Sequence, residues 1–319
     1  MDGKTGNPCT ENTEDNAKGA AQPLATLPKK RRRRWGDRFD GRKLRTLSPA
    51  TRIAPYIMKI RSDSQNHFEE EIDITDIEPY IREQRAQGYK NFGLLHIFIG
   101  AYVRTVAQRP AINRFIAGNK IFARHNIEVV MTIKKKLSTT APDTTMKCLF
   151  SPTDTIFDIY EKWNEVAKAA VEDDFSTNFD KTAKTVNRIP GFLLKFAINF
   201  LRALDYIGLM PRALLKVSPF HGSVAITSMG SLGIAPIYHH LYDFGNLPLF
   251  LSYGKKYTRC ILGEDGKVYK RTYVGLRIVT DERICDGYYY AAAFKTLLHI
   301  IKDPRCLETP PETVVEDVE

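Results

Sequence analysis

Apolar and polar side chains alternate near the carboxyl end of the chain, and this pattern predicts a strand that runs into a helix. The strand positions, which alternate between two faces, are Tyr273, Val274, Gly275, Leu276, Arg277, Ile278, Val279 and Thr280. Apolar residues at helical spacing then follow before Pro304, namely Tyr290, Phe294, Leu297, Leu298 and Ile301. The segment from Asp281 to Tyr288 therefore lies at a strand-to-helix junction, where a strand delivers side chains to a site.

The same two periods recur along the rest of the chain. Strand patterns span 68–75, 120–124, 127–133, 257–262 and 268–280. Helix patterns span 76–87, 92–106 and 153–166. The turn at Asp265 and Gly266 joins the last two strands as a hairpin, because Asp-Gly supports positive φ. Helices that alternate with strands and an antiparallel hairpin indicate the α/β class, with a mixed-sheet sandwich in a single domain.

The junction carries a recognisable motif. Its residues read Asp281-Glu282-Arg283-Ile284-Cys285-Asp286-Gly287-Tyr288. In its Asp-Gly half the segment resembles the chloramphenicol acetyltransferase-like fold, which includes the catalytic cores of the dihydrolipoyl acyltransferases of 2-oxo acid dehydrogenase complexes. Those proteins carry a His-x-x-x-Asp-Gly signature at the same kind of junction. In this chain Glu282 stands at the position of the histidine.

Further segments resemble the same family in the same order along residues 45–305. The segment 222–233 is similar to the family's strand that supplies a hydroxyl group to the site, and 246–254 is similar to its next strand. Ser48-Pro49, 68–75 and 92–110 resemble the amino-terminal half of that core. The resemblance implies a chloramphenicol acetyltransferase-like sandwich and is weaker evidence for activity.

The resemblance also implies roles for particular residues. In the family the histidine is a general base that takes a proton from a thiol or hydroxyl as it attacks a thioester, and a Ser or Thr hydroxyl stabilises the oxyanion. By position, Glu282 takes the place of the base, and Thr227, with Ser228 as the neighbouring alternative, takes the hydroxyl role. Asp286 takes a structural role, with Arg52 as its charge partner. Coenzyme A or acyl-CoA is the implied co-substrate, and a homotrimer or higher assembly with sites between subunits is the implied state.

Glu282 decides whether such a site is active. A carboxylate near its reference pKa of about 4.3 is a poorer base toward a thiol near 8.5 than imidazole near 6.5. Burial raises the pKa of carboxylates in other active sites, and loss of a general base costs roughly 10²–10⁴ in rate. The alternative interpretation is that Glu282 forms an ion pair with Arg283 or a neighbouring subunit at a site no longer used. Both interpretations stay open at this point.

Other reactive residues have simpler interpretations. His221, His239 and His240 have no partners at metal-ligand spacing, so we expect loop or surface residues, with a substitute base as the alternative. Cys285 has no histidine partner in the sequence, and packing explains it. Gly230 and Gly233 lack a third glycine and are read as turn glycines after a strand, outside any dinucleotide motif.

Composition narrows the setting. The five cysteines are scattered and never form a Cys-x-x-Cys pair, which favours a reduced, cytoplasmic protein without structural zinc or another metal. We find no secretory leader pattern and no run of about 18 apolar residues, so neither secretion nor membrane spanning is expected. The short polar amino-terminal segment also leaves no room for a lipoyl domain, so we expect no covalent lipoyl group on this chain.

The net charge of +10 is concentrated in one segment. Most of the excess lies between Lys29 and Arg45, and this basic segment has three possible partners: nucleic acid, an anionic lipid surface or an acidic protein. A solvated tail is the alternative. The first 28 residues are polar and the last dozen are acidic, so both ends are expected to be disordered. The predicted organisation is a disordered, basic amino-terminal segment (1–44), an acyltransferase-like catalytic domain (45–305) and an acidic tail (306–319).

A helical insertion is predicted at about 173–219. Its helix, 189–206, has an unusually wide apolar face beside a polar stripe that holds Lys195, Asn199, Arg202 and Asp205. This face has three possible partners: a membrane interface, another subunit or the protein's own core.

Three functions are compatible with these observations. The first is CoA-dependent acyl transfer between a thioester and a thiol or hydroxyl acceptor, with an altered base. The second is a catalytically inactive trimeric scaffold or regulator, recruited to its partner by the basic segment. The third is peripheral attachment to an anionic surface through Lys29 to Arg45 and the insertion helix, which is compatible with either of the others.

Overall fold

Two β-sheets organise residues 31–134, 143–172 and 189–319, which the computed structural model describes. The strands are β1 (Gly41–Lys43), β2 (Gln65–Asp73), β3 (Arg114–Ala117), β4 (Lys120–Arg124), β5 (Ile127–Lys134), β6 (Asp143–Phe150), β7 (Val224–Ser228), β8 (Leu249–Leu262) and β9 (Val268–Asp281). The helices are α1 (Pro49–Ile57), α2 (Ile77–Ala86), α3 (Leu94–Gln108), α4 (Ile156–Glu172), α5 (Gly191–Ile207), α6 (Arg212–Val217) and α7 (Gly287–Lys302). The first 30 residues, including Lys29, and residues 173–188 of the predicted insertion lie outside the described residues.

The larger sheet has the strand order β2-β9-β8-β7-β5-β6. Strands β7 and β8 run parallel, as do β5 and β7, whereas β2 with β9, β8 with β9, and β5 with β6 are antiparallel. The smaller sheet is antiparallel and has the order β1-β4-β3. This mixed α/β architecture confirms the predicted fold class.

One face of the larger sheet is covered by helices. Val274, Leu276 and Ile278 of β9 point into the main hydrophobic core, as the predicted alternation requires, and Leu297 and Ile301 of α7 meet them there. Helix α3 is buried along nearly its whole length. A single main core therefore unites α2, α3, α4 and α7 with the larger sheet, and the described residues form one domain.

Strand β8 is longer than the sequence pattern suggested. The segments 246–254 and 257–262 were expected to form separate strands, but they form one strand of 14 residues whose pairing with β9 shifts between Tyr253 and Lys256. The hairpin to β9 is confirmed, and Gly266 in its turn has a φ of 75°. The predicted strands 120–124 and 127–133 are both present, as β4 and β5, but they belong to different sheets. Strand β3 was not predicted.

The carboxyl end was expected to be disordered, and the structure corrects this. The Val315 N–H donates to the Ala107 carbonyl (2.8 Å), the Arg45 N–H donates to the Glu319 carbonyl (2.8 Å), and Asp317 forms an ion pair with Arg114 (2.5 Å). The acidic residues are ordered because arginines of the core and of the amino-terminal segment bind them.

The described part of the basic segment is also ordered and largely paired. Arg31 forms an ion pair with Glu316 (2.7 Å), and Arg34 forms one with Glu319. Other members bind within the chain as follows: Arg33 with the Asp37 carbonyl, Arg38 with Asp40 and Asp205, Arg42 with the carbonyls of Asp317 and Val318, and Arg45 with Asp37. Disorder up to residue 44 is therefore wrong for residues 31–44, and the boundaries at 45 and 305 stay predictions.

A helix is present where 189–206 was predicted, as α5, but it does not cover the core, and its status as an insertion stays a prediction. Of its 17 residues, Asp205 is the buried one. Asp205, a member of the predicted polar stripe, is buried, because its carboxylate points inward to Arg38 (2.6 Å).

Candidate active site

The strand-to-helix junction is built as the sequence predicted. Strand β9 ends at Asp281, and α7 begins at Gly287 with Asp286 as its N-cap. The Asp286 Oδ1 atom accepts a hydrogen bond from the Tyr289 N–H (2.8 Å), which stabilises the first turn of the helix. The exposed Asp286 side chain therefore has a structural role as the N-cap of α7. The expected pairing with Arg52 is absent from the described contacts, and Arg52 is itself exposed on α1.

Asp281 holds the junction instead, and sequence reasoning missed it. Its buried carboxylate accepts from Arg283 Nε (2.8 Å) and Nη2 (2.7 Å) and from Arg61 Nε (3.3 Å). Both guanidiniums are also buried. Burial lowers the pKa of Arg61, and the charge of Asp281 opposes this effect.

The two arginines connect the junction to neighbouring loops. Arg283 Nη1 donates to the carbonyl of Met58 (3.1 Å), just after α1, and Arg61 Nη2 donates to the carbonyl of Gly245 (3.0 Å). Three segments thus meet at one buried carboxylate. This Arg61–Asp281–Arg283 network fixes the backbone on which Glu282 stands.

Glu282 itself is exposed. Its N–H donates to the Ser64 carbonyl (2.8 Å), and its side chain has no hydrogen-bond or ion-pair partner among the described residues. The ion pair with Arg283 is not among the contacts of the described residues, where Arg283 binds Asp281 instead. The burial that would make this carboxylate a better base is therefore not supplied by its own chain.

Thr227 and Ser228 lie half-buried at the end of β7, on opposite faces of the sheet. Ile226 belongs to the main core, so Ser228 points toward the helix-covered face, where it lies beside Tyr253. Ala225 belongs to a separate small cluster with Val130 and Leu247, so Thr227 shares that opposite face. We call this second face the open face of the sheet. The alternation favours Thr227 over Ser228 as the hydroxyl that can face a second subunit.

One chain does not bring Thr227 and Glu282 together. Thr227 is paired with Ser252 of β8, Ser252 is paired with Arg277 of β9, and Glu282 follows five residues after Arg277. Two strand spacings and five residue rises correspond to roughly 19 Å. A site that uses both residues therefore needs side chains from two subunits.

The three histidines occupy different environments. His221 is buried beside Asp205 (Nε2 to Oδ2, 3.4 Å) and contacts the Ser218 hydroxyl through Nδ1 (2.8 Å), so it is not a surface residue. His240 packs edge-on against Tyr242. His239 stacks on Phe250 with ring centroids 4.5 Å apart, and its buried Nε2 has no described partner.

His239 lies close in register to Thr227. Phe250 is paired with Ala225, two residues from Thr227 on the same open face. Burial lowers the pKa of His239, and the charge of His240 lowers it further. The His239 imidazole on the open face is therefore a candidate base, which the sequence pattern left undecided.

Cys285 and the two glycines behave as structural residues. Burial raises the pKa of the Cys285 thiol to about 12, which makes it a poor nucleophile. Gly230 opens a 3₁₀ turn after β7, and a Cβ there would meet the Gly254 carbonyl oxygen at 2.7 Å, so the turn needs a glycine to approach β8. Gly233 has a φ of 73°.

The described residues contain no cluster of three or more metal-ligating side chains. Within the same part of the chain, no helix has the length and apolar character needed to cross a bilayer.

Comparison with known proteins gives structural matches alone. No protein-family model and no curated protein sequence matches the chain. A probable dihydrolipoamide acetyltransferase from Listeria monocytogenes aligns over 82% of this chain and 95% of its own, with 16% identity and a TM-score of 0.53.

Two further structures agree with this match. The cubic core of the pyruvate dehydrogenase multienzyme complex aligns over 81% of this chain and 88% of its own, with 14% identity and a TM-score of 0.51. The dihydrolipoamide acetyltransferase of Azotobacter vinelandii, described for the roles of a serine, a histidine and an asparagine in its catalytic mechanism, gives the same coverages, 14% identity and a TM-score of 0.52. The chain therefore has the fold of the dihydrolipoamide acetyltransferases, the chloramphenicol acetyltransferase-like fold that its sequence resembles.

Proposed function

We propose that the protein transfers an acyl group from a CoA thioester to a thiol or hydroxyl acceptor, at a site formed between subunits. The observation that carries this proposal is the position of Glu282. Its exposed, unpaired carboxylate stands on a junction held rigid by the buried Arg61–Asp281–Arg283 network, in the fold of an acetyltransferase.

The proposed chemistry uses two groups from different subunits. Glu282 accepts the proton of the acceptor thiol or hydroxyl as that group attacks the thioester carbonyl, and Thr227 of a second subunit donates a hydrogen bond to the oxyanion. When the carbon–sulfur bond breaks, Glu282 returns the proton to the departing CoA sulfur. Coverage by the second subunit would supply the desolvation that Glu282 lacks in a single chain.

The assembly we propose is a homotrimer or a higher assembly of trimers. It is supported by the separation of roughly 19 Å between Thr227 and Glu282, which one chain cannot close. The scattered cysteines support a reduced, cytoplasmic setting.

A basic pocket is suited to the phosphate groups of CoA. It has a volume of about 430 Å³, and its charged lining residues are Lys43, Arg45, Arg52 and Lys120, with no acidic residue among the lining side chains. Burial lowers the pKa of Lys43, and the nearby charges of Lys120, Arg45 and Arg52 lower it further. Arg45 is paired with Asp37, and the positive charge of Lys43, Arg52 and Lys120 favours an anionic ligand. Tyr56 and Ile53 add an apolar wall for the rest of the molecule.

A second candidate function is a catalytically inactive scaffold. It is favoured by one observation, a carboxylate where the family has an imidazole. Recruitment through the basic segment has less support, because most described arginines of that segment already bind acidic groups or carbonyls of the same chain.

The first experiment is isothermal titration of CoA and acetyl-CoA into the purified protein, with a thiol-release assay for turnover. Acyl transfer predicts binding, and it predicts that Glu282→Gln, which preserves size and removes the base, lowers the rate by roughly 10²–10⁴. Glu282→His should keep or raise turnover. Binding without turnover in any variant would select the scaffold, and absence of binding would refute the CoA proposal.

Matched variants separate the roles within the site. Thr227→Ala should lower turnover by roughly 10²–10³ as an oxyanion donor is lost, whereas Ser228→Ala, on the opposite face, should have little effect. His239→Ala tests the alternative base: if it abolishes turnover while Glu282→Gln does not, His239 and not Glu282 accepts the proton. Arg52→Glu should weaken CoA binding and leave thermal stability unchanged, because its side chain is exposed.

A further inference from the structure

Helix α5 presents a continuous apolar stripe to solvent. Phe192, Phe196, Phe200, Ala203 and Ile207 follow each other at spacings of four, four, three and four residues, so they lie on one face of the helix. Phe192, Phe196 and Ile207 are 72%, 69% and 62% exposed. An exposed stripe of this size on a folded domain marks a surface that contacts a partner or a membrane.

A stripe of cations and polar groups runs beside it. Lys195, Asn199, Arg202 and Tyr206 are spaced four, three and four residues apart and are all exposed. The chain then continues through the exposed Leu209 into α6. This helix adds Leu214 and Val217 as exposed apolar residues and Arg212 and Lys216 as exposed cations. Aromatic and aliphatic side chains flanked by Lys, Arg and Tyr are typical of a helix that lies in the plane of a membrane interface.

The exposed charge of this surface has one sign. Asp205 is the single acidic residue between 189 and 217, and it is turned inward to Arg38 (2.6 Å) and His221 (3.4 Å). Burial would raise the pKa of Asp205, but His221 and Arg38 outweigh it and lower the pKa to about 2. The same contact anchors α5 to the domain, so α5 offers its apolar side and the cations Lys195 and Arg202 outward, and α6 adds Arg212 and Lys216.

The structure assigns this surface, defined by the exposed residues of α5 and α6, to a lipid bilayer that carries anionic headgroups. Charge complementarity supports a bilayer, since the cations flank the apolar stripe with no exposed carboxylate between residues 189 and 217. The helix has 17 residues and spans about 25 Å, and its charged stripe keeps it parallel to the surface. The apolar stripe reaches the acyl-chain boundary while the cations stay among the headgroups. This attachment is independent of acyl transfer.

The test is sedimentation of the full chain with vesicles of phosphatidylcholine, alone or mixed with phosphatidylserine. We expect binding to the anionic vesicles that weakens with salt. Phe196→Asp should weaken it more than about tenfold, since burial of one phenylalanine is worth at least that factor. The matched control is Leu262→Asp at the tip of the β8–β9 hairpin, a side chain 74% exposed, which should bind as the native protein does.

Three results would overturn the assignment. In the first, the native chain stays in the supernatant with both kinds of vesicle. In the second, Phe196→Asp sediments as the native chain does, which would place lipid binding elsewhere. In the third, Phe196→Asp changes the mass measured by light scattering without a change in vesicle binding, which would identify a second copy of the chain as the partner. Because Phe196 is exposed, its substitution should leave the thermal unfolding curve unchanged, which verifies that the variant is folded.

Discussion

Substitution of Asp281 by asparagine tests the proposal that a buried ion network holds the candidate site in place. Asp281→Asn preserves the shape of the side chain but removes its charge, and its amide places a donor against a guanidinium. The residue is 1% exposed, and its carboxylate accepts three hydrogen bonds from arginine side chains, of 2.7, 2.8 and 3.3 Å. Loss of one partner from a buried ion pair costs about 3–5 kcal/mol because the remaining charges stay buried. We therefore expect Asp281→Asn to lose about that much stability.

The assay is thermal and urea unfolding of the native and substituted proteins. A loss of 3–5 kcal/mol corresponds to a fall in Tm of roughly 5–8 °C for a domain of this size. Glu71→Gln is the matched control, because Glu71 binds Arg259 through two bonds of 2.6 and 2.7 Å but on the exposed surface. Exposed pairs contribute little, so its Tm should hardly change. Equal shifts for Asp281→Asn and Glu71→Gln would refute the reasoning.

Three further outcomes are expected. Burial lowers the pKa of His96 to about 4, so the unfolded chain binds a proton at a higher pH than the folded protein does. The free energy of unfolding should therefore fall by about 3 kcal/mol between pH 6.5 and pH 4. In a His96→Gln variant this part of the pH dependence should be missing from acid unfolding curves. Iodoacetamide followed by peptide mass mapping should label the exposed Cys260 in the native protein and spare the buried Cys285, and early labelling of Cys285 would contradict its raised pKa. Asp317→Asn should lower the Tm measurably because Arg114 loses a buried partner, and an unchanged Tm would show that the acidic segment is not held by that ion pair.

Local periodicity was sufficient to predict much of the fold. Side-chain spacing predicted β9, α7 and the junction between them, with element boundaries correct to within a few residues. It predicted α3 equally well. β8 was divided in two because Gly254 interrupts its apolar pattern. The structure explains that glycine by a contact: a Cβ there would meet Pro236 at 2.4 Å, from a segment that crosses the open face.

Contacts between residues far apart in the sequence could not be predicted at the site. The carboxylate that holds the junction is Asp281, whereas the sequence motif pointed to Asp286. Nothing in the local pattern shows that Arg61, 220 residues away, meets Asp281 in the core. The same limit explains the acidic carboxyl end, since a segment rich in Glu and Asp looks disordered until its arginine partners are known.

The order of the large sheet has a consequence for how the chain folds. Strand β2 lies at the edge of that sheet and pairs with β9 alone among the described strands, although about 190 residues separate them. At the usual speed of translation, roughly 10 to 40 s pass between the synthesis of β2 and the synthesis of its partner β9. An unpaired strand is a template for aggregation during such a delay, and consecutive like charges prevent it. Glu69, Glu70 and Glu71 lie in the middle of β2, so its acidic run protects the nascent chain until β9 is made.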